Sequence, residues 1–470
     1  MSKYSGPLQP GSVIECEIES LVFGGKGIAR HDGLAVFVDR AVPGQKVRCE
    51  ITGLKKRFAE ARRLDVLRNS ESECEPSCPL FGDCGGCSHQ DMTYDAQLYW
   101  KGRQVSETLQ RIGRVSPETP GMGKPAIASP ETFGYRNKLD FSFSGQGPSL
   151  QLGFKKTGSE TEVLNVPRCP LLPESCAGIP GLVRAYCAKT GVGAYMHGKG
   201  GYWRKLVVRV ARATGEIMVH LITAPAESHE HVAGLEKELF EHVPQLASFA
   251  HSTRRGRADL ATGEQQVSLS GKPFITEQLF RADGVGINYR ISPNSFFQTN
   301  SAGAEILFRR SLELASPVPG DVVYDLFCGS GGIGLFMARD VQKVIGIEAS
   351  QETVLSARDN AGINGVENAE YMVGNLARKE DFPSNMPVPD IVVVDPPRNG
   401  VPGNALQRIL QIGPAKVLYI SCNPATLARD VLAMSDNYDL DCFSAVDMFP
   451  HTSHVECIAL LTRSEENCNN

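Results

Sequence analysis

The chain has 470 residues, which at about 100–200 residues per domain is enough for two to four domains with buried cores. Its 41% hydrophobic and 21% charged residues exclude a disordered or fibrous protein. No run approaches the roughly 20 apolar residues of a membrane-spanning helix. The net charge of −5 does not announce a nucleic-acid binder, but the charge is uneven: residues 24–68 hold eleven Lys/Arg against five Asp/Glu, and residues 199–212 hold five basic residues and no acid. The opening Met1-Ser-Lys-Tyr-Ser-Gly-Pro lacks the apolar core of a signal peptide, which points to a cytoplasmic protein. In that compartment fourteen cysteines suggest metal ligands and catalysts rather than a disulfide framework.

Residues 9–68 alternate short β-rich runs (Ser12 to Glu17, Leu34 to Val38, Lys46 to Ile51) with turn signals such as Asp32-Gly33 and Pro43-Gly44. About five strands in so short a segment fit an OB-like barrel, a fold used to hold single-stranded nucleic acid, and a plain structural β module fits as well. Cys74, Cys78, Cys84 and Cys87 follow within fourteen residues. Tyr94, Leu98, Val105, Leu109 and Ile112 then fall at helical spacing, which predicts a packing helix over 92–113 with Gly113 as its stop.

From about 131 to 292 the pattern is β-rich. Strict alternation in 139–143 and 150–154 around Gly145-Gln-Gly predicts one hairpin, and 205–223 around Ala213-Thr-Gly predicts a second. Beyond about 300 the continuous apolar runs at 322–327, 343–348, 391–395 and 416–421 alternate with helical patterns, as in a doubly wound parallel sheet.

The chemistry-bearing motifs sit at the ends of those runs. Gly329-Ser-Gly-Gly-Ile-Gly334 matches G-x-G-x-x-G after the first strand, with Glu348 ending the next to accept hydrogen bonds from a ribose. Asp395-Pro-Pro-Arg398 and Ser421-Cys422-Asn423-Pro424 also end strands, so both face the crevice where open α/β sheets bind ligands. Cys422 there suits a nucleophile better than a buried hydrophobe, and Glu456 on a late strand could supply a base. Cys78, Cys84, Cys87 and the distant Cys169 offer four thiolates, a number that fits zinc or an iron–sulfur cluster equally, with Cys74 and His89 as spare ligands.

Five blocks in order, Phe297-Gln298-Thr-Asn300, Asp325-Leu-Phe-Cys-Gly329, Asp395-Pro-Pro-Arg398, Ser421-Cys-Asn-Pro-Ala-Thr-Leu-Ala-Arg-Asp430 and Asp447-Met-Phe-Pro-His-Thr-Ser-His-Val-Glu456, resemble the uracil-5 RNA methyltransferases. The first sixty residues resemble a TRAM domain. The resemblance implies an α/β protein in three parts: a TRAM barrel at 9–68, a central β-rich domain at 70–270, and a Rossmann-like S-adenosylmethionine methyltransferase domain at 271–465, on which helix 92–113 packs. It implies Cys422 as the nucleophile that adds to uracil C6 and Glu456 as the base that removes the C5 proton. S-adenosylmethionine would be held by Gln298, Phe327, Glu348, Asn375 and Asp395. Cys78, Cys84, Cys87 and Cys169 would hold a [4Fe-4S] cluster, expected to be structural because its ligands lie outside the crevice motifs.

The combination of TRAM module and cysteines resembles the branch acting on 23S ribosomal RNA, and the protein is expected to act as a monomer with its two basic stretches carrying RNA affinity. The alternatives are a transfer RNA uridine-5 methyltransferase, a cytosine C5 methyltransferase, and a non-catalytic RNA-binding or redox-sensing protein.

Overall fold

A computed structural model describes residues 8–378, 381–382 and 386–464; Met1 to Pro7 and residue 465, the expected end of the catalytic domain, lie outside them. The first sheet has six strands in the order Val13–Glu17, Lys46–Leu54, Phe58–Arg68, Leu34–Asp39, Gly27–His31 and Ser20–Leu21. Its inward side chains, among them Val36, Val38, Val47 and Ile51, form a separate small core. The strand positions agree with the turn signals that delimit them in the sequence.

The central sheet has seven strands, ordered Gln265–Gly271, Leu246–Thr253, Ile217–Thr223, Trp203–Val210, Lys138–Ser144, Gln151–Lys155 and Val163–Asn165. Both expected hairpins are present, with Ser144 paired to Gln151 and Val210 to Ile217. Two helices that the β-rich reading did not include, Ile179–Lys189 and Glu230–His242, cover one face through Val183, Cys187, Leu235 and Leu239.

The basic stretch 199–212 belongs to this sheet and corrects the expectation that it carries RNA affinity. Arg204, Lys205 and Arg209 are buried and bonded inside the protein: Arg204 to carbonyls of the 254–258 loop, Lys205 to Ser142 and Asp259, and Arg209 to the Ser295 carbonyl. Arg212 pairs with Glu131. Strand formation turned these side chains toward polar partners at the sheet, and burial without partners would have cost several kcal/mol each.

The C-terminal sheet also has seven strands, ordered Ala369–Val373, Lys343–Glu348, Val322–Leu326, Ile391–Val394, Lys416–Ser421, Glu456–Arg463 and Tyr438–Val446. The first five are mutually parallel, and Glu456–Arg463 runs antiparallel to both its neighbours. Alternate strand residues feed two cores. Val323, Val393 and Leu418 meet the helices Ser301–Ala315 and Gln351–Ile363, whereas Tyr324, Val392 and Tyr419 meet Tyr94–Arg111, Gly403–Ile412 and Pro424–Met434. The sheet is doubly wound, and the helix Tyr94–Arg111, far upstream in the chain, packs on its second face through Val105 and Leu109. Ile112 of the predicted stripe falls past the helix end and is exposed. Among the described residues no helix is long and apolar enough to cross a membrane.

Candidate active site

The parallel strands all deliver their carboxyl ends to one crevice, the position at which doubly wound sheets bind ligands. After Val322–Leu326 the chain turns sharply through Phe327 (φ +62°) and Gly329 (φ +53°) into a short helix at Gly332. The turn is locked from behind. Buried Asp325 accepts a 2.9 Å hydrogen bond from the Gly334 amide, and a Cβ at Gly334 would lie only 2.7 Å from that same carboxylate oxygen. The Tyr289 hydroxyl donates to the Gly332 carbonyl at 2.9 Å and its ring packs on Phe297, which places Gln298 beside the glycine turn. Asn137 holds the Gln298 carbonyl at 2.8 Å from the central region.

Glu348 ends its strand half-buried and accepts from the Ser350 amide, while Ser350 caps the following helix. Asn375 is on the next loop, with its side-chain oxygen engaged by the Ala377 amide and its own amide bonded to Asp381. Asp395 follows the fourth strand.

The nucleophile and base candidates are brought together by one ladder. Lys416–Ser421 runs toward the crevice and Glu456–Arg463 runs away from it, with Ser421 opposite Cys457, so the next rung outward carries Cys422 on one strand and Glu456 on the other. Asn423 donates to the Arg398 carbonyl at 3.1 Å, and buried Asp430 bonds the Val401 amide and the Tyr419 hydroxyl. These bonds fix the Asp395-Pro-Pro-Arg398 loop against the Cys422 loop.

Burial pushes the Cys422 thiol above its ordinary value; the Glu456 carboxyl adds to the rise and the Arg398 guanidinium opposes it. Burial, and then the charge of Asp395, holds Glu456 well above the usual carboxylate range. Asp395 is pushed up to about 7 by burial. Asp325 also reaches about 7 through burial, opposed by the Gly334 amide and reinforced by Asp395 and Glu348. Desolvated carboxyls in one crevice favour a ligand that carries positive charge there.

The four cysteines expected to bind a metal converge outside this crevice. Cys78, Cys84, Cys87 and Cys169 line one cavity of about 280 Å³. Burial raises the Cys169 thiol to about 11, and the charges of Cys87, Cys84 and Cys78 contribute to that rise. Among the described residues no three His, Cys, Asp or Glu side chains stand close enough to hold a single metal ion. Cys74 is exposed with its thiol on the Gln90 carbonyl, so neither it nor His89, which is buried and held neutral with its value lowered to about 3 chiefly by burial, lines the cavity.

Cavity and crevice nevertheless share walls. Thr299, next to Gln298, borders the cavity. The Ser88 and His89 amides, just after Cys87, both donate to the His451 carbonyl, at 2.8 and 3.0 Å, in the loop that leads into Glu456.

That loop is gripped by residues the sequence reasoning missed. Lys101 donates to Asp447 at 2.6 Å and to the Phe449 carbonyl at 3.0 Å, with Lys101 and Asp447 side chains 3% and 0% exposed. Gln97 accepts from the His451 amide at 2.8 Å. The available signal was a lysine in the middle of an apolar helical stripe, three residues after Leu98 and four before Val105.

A family described as tRNA (Uracil-5-)-methyltransferase matches residues 260–464, and the TRAM domain matches residues 7–64. An uncharacterised RNA methyltransferase of Nitratidesulfovibrio vulgaris is 36% identical over 97% of this chain and 97% of its own length. Another, from Halalkalibacterium halodurans, is 34% identical over 98% of this chain and 99% of its own. The crystal structure of the Pyrococcus abyssi tRNA (uracil-54, C5)-methyltransferase in complex with S-adenosyl-L-homocysteine superposes with a TM-score of 0.75 at 28% identity, covering 96% of this chain and 100% of that one. With an acidic, glycine-lined crevice at the strand ends and relatives that match from end to end, this chain belongs to the uracil-5 RNA methyltransferases, S-adenosylmethionine-dependent enzymes, and carries an N-terminal TRAM domain.

Proposed function

We propose that the protein, acting as a monomer in the cytoplasm, methylates C5 of a uridine in 23S ribosomal RNA through a transient covalent adduct at Cys422. The observation that carries this reading is the strand register that sets Cys422 and Glu456 on adjoining ends of one ladder. Uracil C5 is a poor nucleophile toward a methyl sulfonium. The Cys422 thiolate forms a bond to C6, and the displaced π electrons make an enolate that is nucleophilic at C5. S-adenosylmethionine supplies the methyl group. Glu456 takes the C5 proton, the C5–C6 double bond re-forms, and the C6–sulfur bond breaks to free Cys422. Gln298, Phe327, Glu348, Asn375 and Asp395 hold the cofactor, with Glu348 accepting hydrogen bonds from its ribose. The target base enters unpaired, because its ring must lie between Cys422 and the methyl donor.

Cys78, Cys84, Cys87 and Cys169 hold a [4Fe-4S] cluster in this reading. Their convergence on one cavity supports it, since four thiolates are the ligand number of such a cluster. Anaerobic purification with iron and sulfide analysis checks the assignment, and stoichiometric zinc in a colourless protein would replace it.

The decisive experiment mixes protein, S-adenosylmethionine and 5-fluorouridine-substituted ribosomal RNA. A denaturation-resistant adduct that Cys422→Ala abolishes is expected, since fluorine cannot leave C5 as a proton does. Transfer RNA is the second substrate to try, because the Pyrococcus abyssi structure, which covers 96% of this chain, is that of a tRNA methyltransferase. Nucleoside mass spectrometry of each product identifies the methylated base.

A further inference from the structure

Exposed positive charge in the central region also occurs in a loop well beyond the basic stretch in the chain. Arg254-Arg255-Gly256-Arg257 follows the strand Leu246–Thr253, and its backbone is fixed from inside. Arg204, 7% exposed, donates to the carbonyls of Arg254 at 2.6 Å, Gly256 at 2.8 Å and Ala258 at 3.3 Å, with its guanidinium 4.3 Å from the Tyr195 ring centroid. Glu264 accepts from the Arg255 and Gly256 amides at 2.7 and 3.2 Å. Asp259 lies between Lys155 at 3.1 Å and Lys205 at 2.9 Å. Both acids of the loop are thereby engaged. Arg255 and Arg257 are exposed, and among the described residues neither side chain has a hydrogen bond or ion pair.

The loop also borders the approach to the crevice. Gly263 and Asn294 exchange two hydrogen bonds, at 3.0 and 3.3 Å, and Asn294 stands four residues before Gln298. Thr262 and Gly263 form one wall of a cleft of about 210 Å³ whose other wall includes Ser350 and Thr353, just past Glu348.

We propose that Arg255 and Arg257 grip the phosphodiester backbone of the single-stranded RNA that leads the target uridine into the crevice. The planar guanidinium fork suits phosphate, and a loop already held by Arg204 and Glu264 loses little conformational freedom on binding. Such contacts position the strand without reading its sequence. The proposal rests on the RNA-methyltransferase reading.

The test measures binding of a fluorescein-labelled 20-nucleotide oligouridine by anisotropy across a salt series. It uses the full-length protein, Arg255→Ala/Arg257→Ala and Arg255→Lys/Arg257→Lys. Two lost phosphate contacts lower the slope of log K against log salt by about 1.4, and weaken binding about tenfold at ~0.1 M salt. The lysine pair should keep the slope, and calorimetric affinity for S-adenosylmethionine should not change. An alanine pair with the wild-type slope overturns the proposal, as does a loss of cofactor affinity in step with RNA affinity. If wild type itself binds no RNA, the underlying reading fails as well, and the wild-type arm separates that outcome from failure of the loop alone.

Discussion

The molecule contains two cysteine sites built on opposite plans. In the crevice one thiol, Cys422, stands at a strand end, and the groups around it come from neighbouring strand ends: Glu456 across the same rung, Asp395 and Arg398 on the next loop. In the cavity four thiols arrive from two loops some eighty residues apart, and no strand end points them at a substrate. The first plan offers one thiol to a ligand; the second lines a cavity with four. The difference teaches that a cysteine's role is set by which backbone element delivers it and by the groups it is delivered against.

The most severe way to break the comparison is at Cys422. Cys422→Ala should remove all turnover and all adduct, with cofactor binding intact by calorimetry. Glu456→Gln should leave adduct formation possible and block its release. The covalent complex then accumulates on ordinary uridine RNA, and turnover falls by about 10²–10⁴. An adduct that survives Cys422→Ala would remove the crevice from the comparison altogether.

At the cavity, the proposed cluster requires that Cys84→Ser abolish iron content and lower the melting temperature, while Cys422 still forms some adduct with fluorouridine RNA. Adduct formation that vanishes together with the iron would show that the shared walls, Thr299 and the Ser88–His89 grip on His451, transmit more than support.

Between the two sites lies the Lys101–Asp447 pair. Lys101→Met leaves the fully buried Asp447 without its cation and should cost about 3–5 kcal/mol in chemical denaturation. The double variant Lys101→Met/Asp447→Leu should recover most of that loss, because it removes the stranded charge as well. If the single variant is as stable as wild type, the pair does not join helix Tyr94–Arg111 to the Glu456 loop in the way its geometry suggests.

Where the chain's local pattern coincides with its final contacts, the sequence was sufficient. The strand ends bearing Gly329, Glu348, Asp395 and Cys422 were legible because short apolar runs followed by special residues can hardly be anything but buried parallel strands opening on a crevice. The two central helices were not, since Val183, Cys187, Leu235 and Leu239 acquire meaning only against a sheet formed elsewhere in the chain. The basic stretch 199–212 misled for a related reason. Arg204 and Lys205 are neighbours on a strand buried along both faces, and the groups that satisfy Arg204 and Arg209 lie as far off as the 254–258 loop and Ser295. The exposed arginines at 255 and 257 carry no pattern at all beyond their own charge; only the bonds made by Arg204 and Glu264 show that the loop is ordered.

The smallest expected effect concerns protonation. Burial raises the Cys422 thiol above its ordinary value, so at neutral pH less of it is thiolate than in a solvent-exposed cysteine. Its alkylation by iodoacetamide should therefore rise with pH through a midpoint on the alkaline side of an exposed cysteine's. Because the Glu456 carboxyl contributes to that rise, Glu456→Gln should move the midpoint back toward neutral pH, by less than the part that burial imposes. The proposed adduct requires this thiol to lose its proton. Removing the opposing cation, Arg398→Met, should shift the midpoint the other way. The two variants thus bracket the wild-type profile. A shift of both in the same direction would mean that the charges of Glu456 and Arg398 do not act on the sulfur, leaving burial as the sole control of the one thiol that the crevice presents.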